Sequence, residues 1–239
     1  MTKRIISIQG NKGCGKDVTA TFIKYLLDTP KILHNYKIAK FLNFSTLYNN
    51  WDITCYAKKL KQILAIVLNV DVEKFEDRDF KENWYFDFTL YKFFHIDILD
   101  KSQYLSDKEF SRQLKKGNLD IITEYKLSIR QILQCFGTDV MRRFFGDKLW
   151  VLSTLLNTDK NTIISDQRFL IENESVRMID DSYIIHISRP GHEPGNHPSE
   201  KELIKLYQKK EYDVLITNDG TLEDLFNKCK EIIYNDYLI

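Results

Sequence analysis

Apolar residues fall along this chain in two alternating rhythms. Five brief, β-branched and nearly all-apolar runs recur: "RIISI" at 4–8, "DITCYA" at 52–57, "TIIS" at 162–165, "YIIHIS" at 183–188 and "DVLIT" at 213–217. Runs without polar alternation suit parallel strands that are covered on both faces. Between them lie stretches with helical periodicity, at 16–28, 58–69, 128–145, 168–180, 199–210 and 221–235. The first places Val18, Phe22 and Leu26 on one stripe. Strands alternating with helices of this length predict an α/β fold, a mostly parallel five-stranded sheet flanked by helices.

Two regions depart from the rhythm. Residues 71–126 are rich in charge and aromatics, with "NWYFDFTLYKFF" at 83–94, and read either as an inserted cap on the substrate side or as a merely structural hairpin. Without a basic stripe beside it, the aromatic cluster from Trp84 to Phe94 fits packing inside such a cap better than stacking on nucleic-acid bases. Three of the four prolines, Pro190, Pro194 and Pro198, fall in one loop, and 189–202 reads as a lid. With no repeat, low-complexity tract or long linker, residues 1–239 are expected to form a single elaborated domain.

Composition narrows the class. The 35 basic and 34 acidic side chains balance, which argues against a surface that coats nucleic acid, so any phosphate recognition must be local. Cys14, Cys55, Cys135 and Cys229 are scattered, with no CxxC pair, so neither a disulfide framework nor a zinc site is suggested. The first apolar run is too short for a signal segment and no stretch approaches a membrane span, so the expectation is a soluble cytosolic protein, or one made in a host's cytosol.

The chemistry concentrates at the first strand. "GNKGCGKD", Gly10 to Asp17, nearly matches the phosphate-binding pattern GxxxxGK[ST], and the β-run before it and the helical pattern "KDVTATFIKYLL" after it are the context that the motif requires. Gly10, Gly13 and Gly15 would let backbone N–H groups approach a polyphosphate, and Lys16 would reach the β- and γ-phosphates. Asp17 stands where a serine or threonine normally holds magnesium. A carboxylate is also a hard oxygen ligand and suits a helix N-terminus, and Thr19 is a second candidate for the hydroxyl role.

Cations that could serve transferring phosphoryl groups follow the strands. "TIISDQRF" places Asp166 and Arg168 past one strand, and "HISRPG" places Arg189 past the next, ahead of the loop "RPGHEPGNHP". "YAKKLKQIL" supplies Lys58, Lys59 and Lys61 at a strand-to-helix junction, and "SIRQILQCFGTDVMRR" starts a helix with Arg130 and interrupts it at Gly137-Thr138-Asp139. Each has a plainer alternative as a solvated charge, a helix cap or a helix break.

In combination these pieces resemble a family, the deoxynucleoside monophosphate kinases of large bacteriophages, found also in some large DNA viruses. The matching segments are "GNKGCGKDVTA", "AKKLKQILA", "LSIRQILQCFGTDVMRRFF" followed by "KLWV", "ISDQRF", "IIHISRPG" and "VLITNDGTLEDLFNK". The resemblance implies a P-loop kinase that transfers the γ-phosphoryl of ATP to a deoxynucleoside 5′-monophosphate with Mg2+. Carried onto this chain, it implies that Lys12, Gly13, Gly15, Lys16 and Asp17 bind ATP and metal, with Asn218 and Asp219 where an adenine would be held. It implies that Lys61, Arg130, Gly137, Thr138, Trp150, Asp166 and Arg168 bind the acceptor and that Arg189 is the lid cation. Lys16, Arg168 and Arg189 would carry the catalysis.

Partners are then ATP and the acceptor nucleotide, with no stable nucleic-acid or membrane association expected and a homodimer left open. Residues 31–51 are longer than the family's link, and 71–126 match only in patches such as "KFEDRDF". The rivals are another small P-loop kinase, of the dephospho-coenzyme A or phosphomevalonate type, and a non-catalytic or GTPase-like nucleotide switch. Against the switch, "TND" at 217–219 lacks the NKxD guanine-reading pattern.

Overall fold

A computed structural model describes residues 3–88, 125–156, 158–192 and 198–235. In chain order the elements begin with β1 (Ile5–Gln9), α1 (Lys16–Leu27), a 3-10 turn (Lys31–Leu33), α2 (Tyr36–Phe41), β2 (Trp51–Thr54) and α3 (Ala57–Leu68). A second 3-10 turn (Val72–Glu76), α4 (Arg78–Asn83), β3 (Tyr85–Phe88) and β4 (Tyr125–Ser128) follow. Then come α5 (Ile129–Gln134), which runs through a π-helical stretch (Cys135–Arg142) into Arg143–Phe145, and α6 (Leu149–Leu155). The last elements are β5 (Asn161–Gln167), α7 (Leu170–Arg177), β6 (Ser182–Ser188), α8 (Pro198–Gln208), β7 (Val214–Thr217) and α9 (Leu222–Asn235).

Five of the strands form one sheet in the order β2-β5-β1-β6-β7, and every neighbouring pair is parallel. These are the five apolar runs of the sequence. The central strand β1 is buried along its whole length, which fits its isoleucines Ile5, Ile6 and Ile8. Each such side chain contributes about 1.5–3 kcal/mol when fully buried. The helix α1 buries Phe22, Ile23, Tyr25 and Leu26, while Val18 is half-exposed at 37% and stands off the stripe predicted for it. The inward arc is therefore rotated towards Ala20 and Ile23.

The link at 31–51, which the sequence left without assignment, is a packing element. Asn35 caps α2 by accepting hydrogen bonds from the Lys37 and Ile38 N–H groups at 2.9 and 3.3 Å. Tyr36 and Phe44 close an aromatic cluster with Phe22 and Phe226, whose ring centroids lie 5.4 Å apart. The buried Asp28 carboxylate pairs with Lys24 and accepts the N–H groups of Asn50 and Trp51, and so fixes the entry into β2.

The chain divides into two compact units, one of Met1–Tyr56 with Trp150–Ile239 and one of Ala57–Leu149. The second unit holds a two-stranded antiparallel sheet of β3 and β4 together with α3, α4 and α5. Its Ser128 caps α5 in a reciprocal capping box with Gln131. The stretch 71–126 expected as a cap falls inside this unit, and much of it, 89–124, lies outside the described residues. The helix break expected at Gly137-Thr138-Asp139 is a π-helical widening, in which the chain stays helical and accommodates extra residues per turn. Among the described residues no helix is long and apolar enough to cross a membrane.

Candidate active site

The loop between β1 and α1 is built by its glycines. Gly13 and Gly15 sit at φ +78° and +106°, in the left-handed region that side-chain-bearing residues avoid. A Cβ on Gly10 would stand 2.2 Å from the Ile187 carbonyl oxygen of the adjacent β6, and one on Gly15 would stand 2.8 Å from the Asn218 amide. The glycines therefore serve both the turn and the close approach of neighbouring backbone.

Lys16 opens α1 and is buried. Its ammonium donates to the Gly10 and Asn11 carbonyls, both at 2.7 Å, so the cation lies folded against its own loop. Burial lowers its pKa, the neighbouring positive charge of Arg168 pushes in the same direction, and Cys14, Asp17 and Asp166 pull the other way. Lys16, Asp17, Asp166 and Arg168 thus form one electrostatic cluster around the loop.

Asp17 lies exposed in the first turn of α1, where the helix dipole favours an anion. Its Oδ1 accepts the Ser165 hydroxyl at 2.9 Å. Asp166 accepts the Tyr56 N–H at 2.7 Å. The strand β5 runs to Gln167, so Asp166 lies inside it and only Arg168 follows it. The Arg168 guanidinium faces Glu200 at 3.7 Å, while the backbone N–H of Arg168 donates to the Glu172 carboxylate at 2.8 Å.

The remaining predicted donor-side residues are spread around the loop. Asn218 is buried and donates to the Cys14 carbonyl at 2.9 Å, while its own N–H binds Ser188. Its side chain is thereby committed to holding the loop. Asp219 pairs with Lys228 at 2.6 Å, a bond that holds its carboxyl below the usual range. Lys12 is half-buried in the loop. Arg189 is exposed at the end of β6, and of the lid predicted at 189–202, residues 193–197 lie outside the described residues.

The acceptor-side residues divide between the two units. Lys61, Arg130, Gly137 and Thr138 belong to the unit of Ala57–Leu149, and Trp150, Asp166 and Arg168 to the other. Lys61 pairs with Glu76 at 2.7 Å, and Arg130 with Glu82 at 2.8 Å. Gly137 faces the Leu60 side chain, which a Cβ there would approach to 2.8 Å. Thr138 lies half-buried in the π-helical stretch. Trp150 is buried at 5% exposure.

A family model described as deoxynucleotide monophosphate kinase matches residues 4–229, and so covers the glycine loop, the Asp-x-Arg segment and both units. The chain belongs to the deoxynucleotide monophosphate kinase family. This kinase is similar to the deoxynucleotide monophosphate kinase of Enterobacteria phage T4, at 27% identity over 96% of this chain and 98% of that protein. A shorter match to the deoxynucleotide monophosphate kinase of Escherichia phage RB69 is 34% identical over 44% of this chain and 45% of that protein. Among solved structures, dephospho-CoA kinase from Campylobacter jejuni aligns over 98% of each chain at 16% identity and a TM-score of 0.34. At that TM-score the fold assignment rests on the kinase's own sheet order and loop.

Sequence reasoning missed several residues that pack around the loop and its neighbouring strands. Ser165, which reaches Asp17, was read only as strand. A buried row runs from the Ser7 hydroxyl to Gln167, from Gln167 to Gln9 at 3.0 Å and from Gln9 to the Glu211 carbonyl at 3.1 Å. Polar residues in and just after two of the apolar runs were the available signal. His192, assigned nothing, accepts from Asn11 through its carbonyl at 2.9 Å, and its ring lies where a Cβ on Gly13 would be, 2.7 Å away. The buried His186 packs against Tyr207 and Tyr212 at 4.8 and 5.3 Å; burial, then the charge of Lys16, lowers its pKa to about 4.

Proposed function

We propose that this enzyme moves the terminal phosphoryl of ATP to the 5′-phosphate of a deoxynucleoside monophosphate, giving ADP and the deoxynucleoside diphosphate used for DNA precursor synthesis. The observation that carries the reading is Lys16: a buried ammonium held by two carbonyls of a glycine loop, at the start of a helix and beside a second cation, Arg168. A polyphosphate offers that ammonium better acceptors than peptide carbonyls, so the lysine can exchange its loop partners for phosphate oxygens. The N–H groups of the loop and the N-terminus of α1 supply the rest of the cradle, together with Lys12, Gly13 and Gly15.

An acceptor phosphate oxygen bonds to the γ-phosphorus as the bond to the bridging β–γ oxygen breaks, and the released electron pair leaves with ADP. The acceptor is already an anion, so no side chain need remove a proton. Lys16 offsets the charge that builds on the transferring group, and Arg168 and Arg189 add positive charge at the ends of β5 and β6. Asp17 fits magnesium as an exposed hard oxygen donor, in keeping with an ion that takes one or two carboxylates along with phosphates and water. When bound, magnesium offsets phosphate charge.

Lys61, Arg130, Gly137, Thr138, Trp150 and Asp166 are assigned to the acceptor with Arg168, within a single P-loop kinase domain whose residues 71–126 act as the cap and 189–202 as the lid. Asn218 and Asp219 are assigned to the adenine side, with Asn218 acting through the loop that it holds. The enzyme works on free nucleotides in the cytosol of the phage's host and needs no nucleic-acid or membrane partner.

The test is ADP release measured against a panel of deoxy- and ribonucleoside monophosphates, dephospho-coenzyme A and phosphomevalonate. Turnover with at least one deoxynucleotide well above the other acceptors is expected. Silence across the nucleotides with turnover on either other acceptor would overturn the assignment.

A further inference from the structure

In P-loop enzymes of the common type, magnesium is held by the Ser/Thr that follows the loop lysine and by an Asp on a neighbouring strand. Here the residue after Lys16 is Asp17, and the side chain that reaches it from the neighbouring strand β5 is a hydroxyl, Ser165, at 2.9 Å. Resting on the kinase reading above, we infer that Asp17 and Ser165 are the magnesium pair of this enzyme, with carboxylate and hydroxyl exchanged between loop and strand.

The register of β5 explains how Ser165 comes to face the loop. Ser7 pairs with Ile164 and Gln9 with Gln167, so two steps along β1 match three along β5. One extra residue is therefore inserted at Ser165–Asp166, a bulge of the kind that re-aims side chains beside functional sites. Gln167 locks the strand immediately after it, through its hydrogen bonds to Ser7 and Gln9. In the bulge, Ser165 donates to Asp17 while Asp166 accepts the Tyr56 N–H, so the two neighbours turn to different partners.

The other hydroxyl considered for this role is ruled out by position. Thr19 is fully buried within α1, whereas Asp17 is exposed. A serine hydroxyl can also serve both partners at once. Its O–H donates to Asp17 Oδ1 while its lone pairs remain for a cation, and the second carboxylate oxygen supplies the charged ligand. The pair thus contributes one negative charge and one neutral oxygen, the same sum as the common Ser/Thr-and-Asp arrangement.

The test measures binding rather than turnover: calorimetric titration of ADP with and without Mg2+, and Mn2+ binding to the ADP complex followed by electron paramagnetic resonance. Magnesium should tighten ADP binding to the wild type. Ser165→Ala should reduce that tightening by about tenfold, the scale of losing one supporting ligand, and leave metal-free ADP affinity unchanged. Asp17→Ser should abolish it, and the double variant Asp17→Ser with Ser165→Asp, which restores the common order, should recover most of it.

Full magnesium tightening in Ser165→Ala, or a folded double variant no better than Asp17→Ser, would overturn the pair while leaving the kinase reading intact. If the double variant melts without a cooperative transition, Ser165→Ala decides alone. Wild-type protein that bound no ADP under either condition would overturn the kinase reading and the pair together.

Discussion

The two compact units hold their cations in opposite ways. In the unit that carries the glycine loop, Lys16 is buried and bound to main-chain carbonyls, and its neighbours Asp17, Asp166 and Asn218 are each tied to backbone or to a buried hydroxyl. In the unit of Ala57–Leu149, Lys61 and Arg130 are neutralised by side chains, and Glu76, the partner of Lys61, is 71% exposed. Backbone partners hold the loop's cation before any ligand arrives, whereas ion pairs that are partly open to solvent contribute little, about 0–1 kcal/mol, and are displaced more cheaply. The cation of the loop is thereby held rigidly, and those of the other unit are held exchangeably.

The comparison breaks first at Lys16. Lys16→Ala should lower turnover at least a few hundredfold, the scale of losing one preorganised charge-stabilising group, with an unchanged circular dichroism spectrum. Wild-type-like turnover would remove the loop from the chemistry. Next in size, Arg168→Ala should raise the acceptor KM about tenfold or more beyond any change for ATP, since a charge-assisted contact to phosphate is worth ~1.5–3 kcal/mol. Equal effects on both substrates would move Arg168 to the donor or transition-state side. Glu76→Gln and Glu82→Gln should lower the acceptor KM by about twofold to fivefold, because each frees a cation from a weak pair. A raised KM would mean that the pairs position the cations rather than mask them.

The smallest expected effect on activity concerns pH. His186 has its pKa lowered to about 4 in the fold against an ordinary 6.5, so below the ordinary value the unfolded chain binds the proton that the folded chain excludes. Its contribution to stability is present above pH 6.5 and is lost as pH falls towards 4, amounting at most to about 3 kcal/mol. His186→Phe should flatten the fall in melting temperature across that window. An unchanged slope would assign the acid sensitivity to other groups.

The sheet was legible because its strands are covered on both faces and so carry no polar alternation, a pattern that survives without any tertiary knowledge. The loop was legible because its glycines answer to local backbone geometry. What stayed hidden depended on register. Nothing in "TIISDQRF" announces the bulge that sends Ser165 to Asp17 and Asp166 to Tyr56, since that bulge exists only in the pairing with β1. The link at 31–51 was opaque for a related reason: Tyr36 and Phe44 find partners on α1 and, far away in sequence, on α9. Val18 shows the cost of judging a stripe from one helix alone.

The central claim, that the loop around Lys16 serves transfer to a nucleotide phosphate, is tested most directly by following the label. ATP carrying a radioactive γ-phosphoryl is incubated with the enzyme, magnesium and a deoxynucleoside monophosphate, and the products are separated. The account predicts label in the β-position of the deoxynucleoside diphosphate, and its loss in Lys16→Ala. Label found only in inorganic phosphate, or left wholly in ATP across every deoxynucleotide tried, would contradict it.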